Sequence, residues 1–468
     1  MTTDTTTPHQ LGAATLAEFE QGLSGRLVRP DDEGYDEARS IWNGAHDMRP
    51  AMIVRCGGVA DVMRAVDFAR SENLEVAVRG GGHSIPGFST SDGGIVIDLS
   101  GMRAVHVDPV GRTAVAGGGA TWADFDHETQ AFGLATTGGL VSSTGLGGFT
   151  LGGGIGWLMR KYGLACDNLI GADVVTANGC LVHTSEDENP DLLWALRGGG
   201  GNFGIATSLE YRLHPVGPNV IAGGIFFAGD RAEEVLRFYR DWVRRLPDET
   251  TTLVNLTTAP PAPFLPESVH GKRVVAVLGV HAGDLEQGRA VMQPLKDLGD
   301  PVADLIDAMP YTVMQSLVDG LWERGAHNYF RSSYVDDLDD AAVAAMVERH
   351  AAVNSPHSEI HLQHFGGAVA RVGDDKSAFG NRSAQYVLNA IARTPGAEGF
   401  EENVAWARSV TDALAPVSRE GAYVNFMGDA SDERLRAAYG HAKYERLVEL
   451  KRRYDPTNLF RLNQNIAP

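Results

Sequence analysis

Hydrophobic positions in the first 215 residues recur with two periods, one helical and one extended. Apolar residues three and four apart predict a helix over residues 59–71, with Val62, Val66 and Ala69 on one face. Thr121, followed by Asp124 at the capping-box position, predicts a helix over residues 121–131, and a further helix is predicted over residues 191–196. Short apolar runs predict strands over residues 53–55, 75–79, 95–99, 104–108, 113–116, 172–176 and 205–211.

From about residue 215 the pattern changes to longer elements. It predicts strands over residues 220–227, 253–256, 273–280 and 359–365, and amphipathic helices over residues 231–245, 285–298, 340–352 and 402–415. This alternation predicts an antiparallel sheet covered by helices, which is an α+β arrangement. At the C-terminal end we expect a strand over residues 422–427 and a helix over residues 431–454 that ends before Asp455-Pro456.

Glycine is the compositional anomaly of the chain. There are 56 glycines in 468 residues, above the usual share of ~7%, and they are concentrated between residues 80 and 204. The Val, Ile and Leu runs between them exclude a collagen-like or disordered segment. Because glycine is needed where the backbone passes close to another group or takes a positive φ, this density predicts a large ligand lying along the backbone of one domain.

Charge and cysteine content exclude several classes of protein. The net charge of −20 gives no reason to expect nucleic acid or an anionic membrane surface as a partner. Cys56, Cys166 and Cys180 are too few for a disulfide scaffold and too far apart for a zinc knuckle. Residues 1–10 are polar and Thr-rich, and no apolar run is long enough to span a bilayer. We therefore expect an acidic, soluble, cytoplasmic protein.

Searches for general enzyme motifs exclude several mechanisms. The sequence has no Walker loop, no nucleophile-elbow serine between two glycines and no His-Glu-x-x-His zinc helix. Gly199-x-Gly201-x-x-Gly204 matches the dinucleotide fingerprint, but it follows a predicted helix and precedes a predicted strand. A Rossmann loop runs from strand to helix, so this match does not predict a Rossmann domain.

His83 is the single residue that best suits a ligand site. It follows a predicted strand and three consecutive glycines, Gly80 to Gly82, whose backbone amides can surround a phosphate. By position alone it could equally be an ordinary solvated loop histidine. A second cluster favours the ligand site, because Ser142, Ser143 and Thr144 lie among glycines between residues 138 and 156. Small hydroxyls and bare backbone suit pyrophosphate and ribitol groups.

Several longer motifs make a resemblance specific. They are residues 79–84 (RGGGHS), 145–157 (GLGGFTLGGGIGW), 160–164 (RKYGL), 193–204 (LWALRGGGGNFG), 423–426 (YVNF) and 454–461 (YDPTNLFR). In this order they resemble the berberine bridge enzyme family, flavoenzymes of the vanillyl alcohol oxidase/p-cresol methylhydroxylase superfamily. The match runs through nearly the whole chain.

The resemblance implies an FAD enzyme with three segments. These are a two-part FAD-binding domain of the p-cresol methylhydroxylase type over residues 1–215, an α+β substrate-binding domain over 216–420 and a C-terminal segment over 421–468 that returns to the FAD domain. The cofactor contacts that it implies are Arg79, Gly80, Gly81, Gly82, His83, Ser84, Gly139, Val141, Ser142, Thr144, Gly145, Gly148, Gly152, Gly153, Val175, Tyr423, Asn425 and Asn463.

In this family the histidine at the position of His83 is bonded covalently to FAD. Many members hold a second link through a cysteine, and the matching position here is Val141. We therefore expect FAD to be covalent through His83 only, with no cysteinyl link. Thr144 matches a position that lines the dioxygen pocket, where a small residue is compatible with oxygen access. Phe149 replaces a histidine of some alkaloid oxidases.

The resemblance also points to candidate catalytic residues on the substrate side. His361 matches a position where relatives have Glu or Gln as a base or substrate anchor, and a buried structural histidine is the alternative. Strand alternation over residues 359–365 places His361 and Gln363 on one face and His364 on the other, which argues against a metal site with His357. Tyr162 and Tyr423 are candidate second anchors. The family's second tyrosine is Phe426 here.

Within the family, the local sequences 41–44 (IWNG), 144–148 (TGLGG), 366–372 (GGAVARV) and 423–427 (YVNFM) most resemble the enterocin-type Favorskiiase flavin N-oxide oxygenases. In that enzyme the position of His361 is Glu. The resemblance implies an FAD-dependent oxidase or oxygenase that uses dioxygen on a small phenolic, hydroxylated or enolisable polyketide-like metabolite.

Three activities remain open from sequence. They are a flavin N-oxide monooxygenase, an alcohol or amine oxidase that produces hydrogen peroxide, and a flavin-containing drug-sequestering protein without turnover. The expected partners are the small-molecule substrate and dioxygen, with no metal, and the chain is expected to be a monomer or homodimer.

Overall fold

The computed structural model describes residues 12–429 and 431–468. The polar segment over residues 1–10 lies outside the described residues. No helix in these two ranges is both long enough and apolar enough to cross a membrane.

Twenty strands are present in the described part of the chain, and they form four sheets. In chain order they are β1 Arg26–Val28, β2 Met52–Arg55, β3 Val76–Arg79, β4 Ile95–Asp98, β5 Val105–Asp108, β6 Thr113–Gly117, β7 Leu134–Ala135, β8 Leu169–Val175, β9 Leu181–Ser185, β10 Ile205–Arg212, β11 His214–Pro215, β12 Asn219–Ala228, β13 Thr250–Thr258, β14 Arg273–His281, β15 Ala303–Asp304, β16 Asp307–Pro310, β17 His327–Val335, β18 Glu359–His364, β19 Tyr386–Thr394 and β20 Ser418–Arg419.

Fifteen α-helices accompany these strands in the same part of the chain. They are α1 Ala13–Gln21, α2 Tyr35–Arg39, α3 Val59–Ser71, α4 Trp122–Gln130, α5 Leu146–Leu151, α6 Met159–Tyr162, α7 Pro190–Leu196, α8 Ala232–Val243, α9 Leu285–Lys296, α10 Tyr311–Gln315, α11 Asp340–Ala351, α12 Ala368–Arg371, α13 Phe400–Ala413, α14 Asp432–Tyr439 and α15 His441–Tyr454.

The first half of the chain forms two larger sheets that share no strand, and β7 and β11 form a third, two-stranded sheet. The order of the first is β1-β2-β4-β3, in which β2, β4 and β3 are parallel and β1 is antiparallel. The order of the second is β5-β6-β10-β8-β9, antiparallel throughout. Helix α3 buries the predicted face of Val62, Val66 and Ala69 against the first sheet. The glycine-rich loops connect elements of these two sheets.

A nine-stranded antiparallel sheet forms the second half, with the order β15-β12-β14-β13-β18-β19-β17-β20 and β16 paired to β12. Helices α8, α9, α11 and α13 bury one face of it, where Val254, Leu362 and Leu388 point into the core. Strand alternation turns the residues between them, among them His361, to the opposite face. The prediction of an antiparallel sheet covered by helices is confirmed.

Two predicted elements at the C-terminal end are wrong. Residues 422–427 form a 3-10 turn, Val424–Phe426, and not a strand. In place of strand pairing, Tyr423 and Asn425 both reach toward the glycine-rich loops. The helix predicted over 431–454 is two helices, because Gly440 adopts φ +78° between them. The glycine-dense stretch over 137–156 also contains a helix, α5, that was not predicted.

Candidate cofactor and substrate site

A cavity of about 470 Å³ lies between the glycine-rich loops and the polar face of the nine-stranded sheet. Most of the predicted cofactor residues line it. These are Gly80, Gly81, Gly82, His83, Ser84, Gly139, Val141, Thr144, Gly145, Gly148, Gly152, Tyr423, Asn425 and Asn463, with Phe149 beside them. Residues that are far apart in the sequence therefore meet on one wall of one cavity.

The glycines of this wall allow close contacts that a side chain would block. A Cβ on Gly152 would lie 2.0 Å from the Oδ1 of Asn425, which lies on the C-terminal segment. Gly148 is different, because a Cβ there would meet no protein atom within 4 Å. It lines the cavity, so its missing side chain leaves space for a bound group rather than for the protein.

His83 lies on this wall with its ring stacked on Trp42 at a centroid distance of 4.9 Å. Its Nε2 is 3.0 Å from the hydroxyl oxygen of Ser143. Burial, aided by the nearby Arg324 guanidinium, lowers the pKa of His83 to about 4. The imidazole is therefore neutral at physiological pH, which is the nucleophilic form.

Tyr423 closes the wall from the C-terminal segment. Its hydroxyl oxygen accepts hydrogen bonds from the backbone N–H of Gly154 at 2.9 Å and of Ile155 at 3.2 Å, and from Asn425 Nδ2 at 2.8 Å. Burial raises the pKa of Tyr423, so the phenol stays protonated. Its hydroxyl holds the 152–155 loop in place, which leaves it poorly suited to act as a base.

Arg79 and Ser142 do not line the cavity. Arg79 is buried beneath the loop, where it donates to the carbonyl oxygens of Ala38 and Ser89 and lies 3.9 Å from Asp98. Ser142 donates its backbone N–H to Oδ1 of Asp319 at 2.8 Å, and its hydroxyl binds Oδ2 of the same carboxylate. Both residues support the cavity wall from behind.

Gly153, Val175 and Tyr162 also lie off the cavity. Val175 belongs to the core between the first two sheets, and a Cβ on Gly153 would lie 2.6 Å from the ring of Phe379. The ring of Tyr162 stacks on His214 at 4.0 Å, and its hydroxyl donates to the carbonyl oxygen of Pro215. Tyr162 is thus not brought to the substrate side.

A polar row crosses the sheet on the opposite wall. His361 on β18 pairs with Asn255 on β13 and with Asn389 on β19, and all three line the cavity. Gln363 is the next residue of β18 on the same face, and neither its amide nitrogen nor its amide oxygen makes a hydrogen bond to the described residues. Oδ1 of Asn255 and Oδ1 of Asn389 also lack a hydrogen-bond partner among these residues. Buried amides without partners are costly, so these groups fit a polar ligand.

Glu359 is a cavity residue that sequence reasoning missed. Its Oε1 lies 2.8 Å from Nε2 of His361, and its Oε2 accepts a hydrogen bond from Asn255 at 2.8 Å. Both Glu359 and His361 are largely buried, with 9% and 8% of their surface exposed. The period-2 alternation that placed His361 on the cavity face also included Glu359, and this was the available signal.

His364 faces the other way, as predicted. Its Nε2 is 3.1 Å from the Arg160 guanidinium, and burial, with that charge, lowers its pKa well below the usual value. Within residues 12–429 and 431–468, no three His, Cys, Asp or Glu residues are close enough together to hold a metal ion.

The run Gly198 to Gly204 contributes to the cavity although it is not a Rossmann loop. It lies between α7 and β10, as predicted, and Gly200, Gly201 and Gly204 line the cavity. Asn202 ties this loop to the C-terminal tail, because its Nδ2 donates to the Gln464 carbonyl oxygen and its Oδ1 accepts from the Ile466 N–H. The fingerprint-like glycines 199–204 thus belong to a cavity loop, although this loop does not run from strand to helix.

The segment over residues 316–326 covers the cavity beside His83. Val318, Leu321 and Trp322 line the cavity from this segment. Trp42 donates its indole N–H to the carbonyl oxygen of Trp322 at 3.0 Å, so the two halves of the chain are joined there. Together with Phe226 and Phe264 these side chains make the remaining wall apolar.

Comparisons with known proteins agree with this geometry. Residues 50–185 match the FAD binding domain family, and residues 422–467 match the berberine and berberine like family. The chain is 34% identical to (R)-6-hydroxynicotine oxidase of Paenarthrobacter nicotinovorans, over 95% of this chain and 97% of that protein.

Solved structures show the same fold. The crystal structure of 6-hydroxy-D-nicotine oxidase from Arthrobacter nicotinovorans superposes with a TM-score of 0.87 at 32% identity, over 95% of this chain and 98% of that one. A BBE-like protein of Physcomitrella patens superposes with a TM-score of 0.87 at 22% identity, over 97% of this chain and 99% of that one, and shows the fold alone. The predicted fold class is confirmed.

Proposed function

The chain belongs to the berberine bridge enzyme-like family of FAD-linked oxidoreductases, and we propose that it oxidises a small hydroxylated aromatic metabolite with dioxygen as the final oxidant. The observation that carries this proposal is one cavity with a bare glycine wall on one side and the polar row of Asn255, His361 and Asn389 on the other. Residues 1–215 and 421–468 hold the cofactor in this proposal, and residues 216–420 hold the substrate.

The residues of the glycine wall fit FAD. Gly148 leaves unfilled space in the cavity, and the amide oxygens of Asn463 and Gln464 are buried there without a partner among the described residues. Amide oxygens accept hydrogen bonds, so these two suit the ribityl hydroxyls and the ring N–H of a flavin dinucleotide, for which Gly148 leaves space. When bound, FAD supplies a two-electron acceptor.

FAD is attached covalently through His83 alone. The neutral imidazole on the cavity wall is the nucleophile that such a link needs. A second, cysteinyl link has no support, because Cys56, Cys166 and Cys180 all lie in the described ranges and none of them lines the cavity.

His361 is the base that takes the substrate's proton, and Gln363 and Asn389 anchor the substrate's polar groups. Their positions on the cavity face, with unpartnered amide atoms, support these roles. The apolar wall of Phe226, Phe264 and Trp322 suits a flat ring. One relative is named for (R)-6-hydroxynicotine, so 6-hydroxynicotine is the first probe to test, followed by substituted phenols.

Dioxygen reaches the site past Thr144, a small residue of the cavity wall. Thr144→Leu should slow reoxidation of the photoreduced protein in air and leave FAD content unchanged. Turnover under ¹⁸O₂ with each probe separates an oxidase, whose product carries no label, from an oxygenase, whose product does.

Acid precipitation tests the covalent link. The wild-type pellet should stay yellow, whereas His83→Ala should release its flavin into the supernatant. Ser143→Ala keeps the imidazole and should keep the colour in the pellet. A colourless wild-type pellet contradicts the covalent link, and failure of photoreduced protein to reoxidise in air contradicts oxidase activity.

A further inference from the structure

We propose that Glu359 is a positioning residue for His361: it fixes a hydrogen on Nε2 and thereby makes Nδ1 the atom that accepts the substrate's proton. This inference rests on the proposed role of His361 as the base. Glu359 does not itself need to touch the substrate.

The geometry determines which nitrogen carries the hydrogen. Nε2 of His361 lies 2.8 Å from Oε1 of Glu359, and an ionised carboxylate only accepts hydrogen bonds, so this contact favours a hydrogen on Nε2 over a lone pair. Nδ1 makes no hydrogen bond to the residues that the structure describes, and the side chain lines the cavity. In the neutral ring, Nδ1 therefore has the free lone pair.

The surroundings of Glu359 favour its ionised form although the side chain is buried. Burial by itself raises the pKa of a carboxyl, but here His361, with hydrogen bonds from Asn255 and Thr257, outweighs burial and lowers the pKa of Glu359. Asn255 holds Oε2 at 2.8 Å, which leaves Oε1 directed at His361.

Other charged and titratable groups lie near the Glu359–His361 pair, but none of those described here takes the place of His361 at Oε1 of Glu359. Arg393 on β19 lies near Glu359, but its guanidinium stacks on Trp322 at 4.9 Å and donates to the carbonyl oxygen of Leu321. His357 precedes β18 and His350 lies on α11. Burial lowers the pKa of both histidines, and the nearby Glu359 charge opposes this effect. Of these groups, His361 is the one whose ring nitrogen lies 2.8 Å from Oε1 of Glu359.

The proton step follows from this arrangement. The substrate's O–H bond breaks and its proton forms a bond to Nδ1. A hydride from the carbon that bears the hydroxyl, or from a carbon conjugated with it through the ring, would go to FAD, which supplies the two-electron acceptor. The substrate becomes a carbonyl compound and loses two electrons. The imidazolium that forms lies against the Glu359 carboxylate, which stabilises it as a charge-assisted pair.

Nitrogen NMR of full-length, FAD-loaded protein with ¹⁵N-labelled histidine tests the assignment between pH 7 and 9. His361→Gln identifies the His361 signals, and His364, on the other face of β18, is the internal reference. In the wild type we expect the Nε2–H tautomer of His361 to exceed the other by roughly tenfold or more, as a charge-assisted hydrogen bond implies. Glu359→Gln should bring the two tautomers to within about threefold, and Asn255→Ala should have a smaller effect.

Three results would overturn the proposal. They are a wild-type His361 with its proton on Nδ1, a ring protonated on both nitrogens up to pH 9, and an unchanged tautomer ratio in Glu359→Gln. The first two need only the wild type and the His361→Gln protein that assigns its signals, so they decide the matter even where Glu359→Gln does not fold. No substrate enters the measurement, so a protein that fails to oxidise any probe still reports on Glu359.

Discussion

Gly81 and Gly145 lie backbone to backbone: a Cβ on either residue would be 2.3 Å from the amide nitrogen of the other. Neither residue has a positive φ, so close approach and not backbone conformation explains why both are glycine. This contact joins the two glycine clusters of the sequence, and both residues line the cavity. The glycine excess thus has two separate causes, packing of loop on loop and space for a ligand.

Gly81→Ala and Gly148→Ala should separate these causes. The added methyl of Gly81→Ala meets rigid backbone, so we expect a loss of stability of about 3 kcal/mol or more. Gly148→Ala meets no protein atom and replaces a helical glycine, so its stability should change by less than about 1 kcal/mol while FAD content falls. Thermal unfolding of both variants in a His83→Ala background, from which flavin can be removed, measures stability, and flavin absorbance of the variants that keep His83 measures FAD content. Equal stability losses would contradict the distinction.

A second prediction concerns the buried pair of Lys451 and Asp455. Lys451 Nζ donates to Oδ2 of Asp455 at 2.7 Å and to the carbonyl oxygens of Asn202 and Phe460, and both charged side chains are fully buried. Lys451→Met leaves the carboxylate buried and unpaired, so we expect a loss of about 3–5 kcal/mol. The exposed Lys376→Met is the control and should change stability by less than about 0.5 kcal/mol.

FAD retention measures what this pair does for the site. Phe460, Leu462, Asn463 and Gln464 line the cavity, so purified Lys451→Met should carry less flavin per chain than the wild type. A destabilised variant that keeps its flavin fully would show that the pair supports the fold alone.

Local signals were sufficient for the elements that depend on nearby residues. The capping box of Thr121 and Asp124 and the apolar face of α3 both follow from spacings of three and four residues, and both are present. Local signals fail at residues 422–427, which form a 3-10 turn in place of the predicted strand. The conformation there depends on hydrogen bonds of Tyr423 and Asn425 to loops more than 250 residues away in sequence.

The polar row of Asn255, His361 and Asn389 could not be derived from sequence because it depends on strand register. Asn255 and Asn389 become neighbours of His361 only through the pairing of β13, β18 and β19, which no local pattern encodes. The glycine wall was easier to predict, because each motif there carries its own glycines and the resemblance gave their common ligand.

A third prediction is a pH dependence that arises from Asp126. Burial raises the pKa of this carboxyl to about 7, only partly offset by the hydrogen bond from Gln315. The folded state holds the proton up to about pH 7, whereas an unfolded chain releases it near pH 4, so Asp126 lowers stability as pH rises through this window, by at most about 4 kcal/mol. Asp126→Asn should therefore raise Tm at pH 8 and leave it nearly unchanged at pH 4.

Asp124, on the same helix, is the control, because its pKa is shifted in the opposite direction. Burial opposes its ionisation, but hydrogen bonds from Arg103 and Thr121 lower its pKa. Its contribution is present at pH 7 and is lost as pH falls below about 4, so Asp124→Asn should lower Tm at pH 8. If both variants shift Tm in the same direction at pH 8, the assignment for Asp126 is wrong.

The last prediction separates Tyr423 from His361 as the proton acceptor. Tyr423→Phe removes an oxygen that accepts two backbone hydrogen bonds, from Gly154 and Ile155, so we expect stability to fall by about 1–3 kcal/mol. Because the Tyr423 hydroxyl already accepts these hydrogen bonds, Tyr423→Phe should change the anaerobic rate of flavin reduction per bound FAD by less than about tenfold. His361→Gln should lower that rate by roughly a hundredfold or more, the usual contribution of a general base. Stopped-flow absorbance with the first active probe gives both rates, and a larger loss in Tyr423→Phe than in His361→Gln would reverse the two roles.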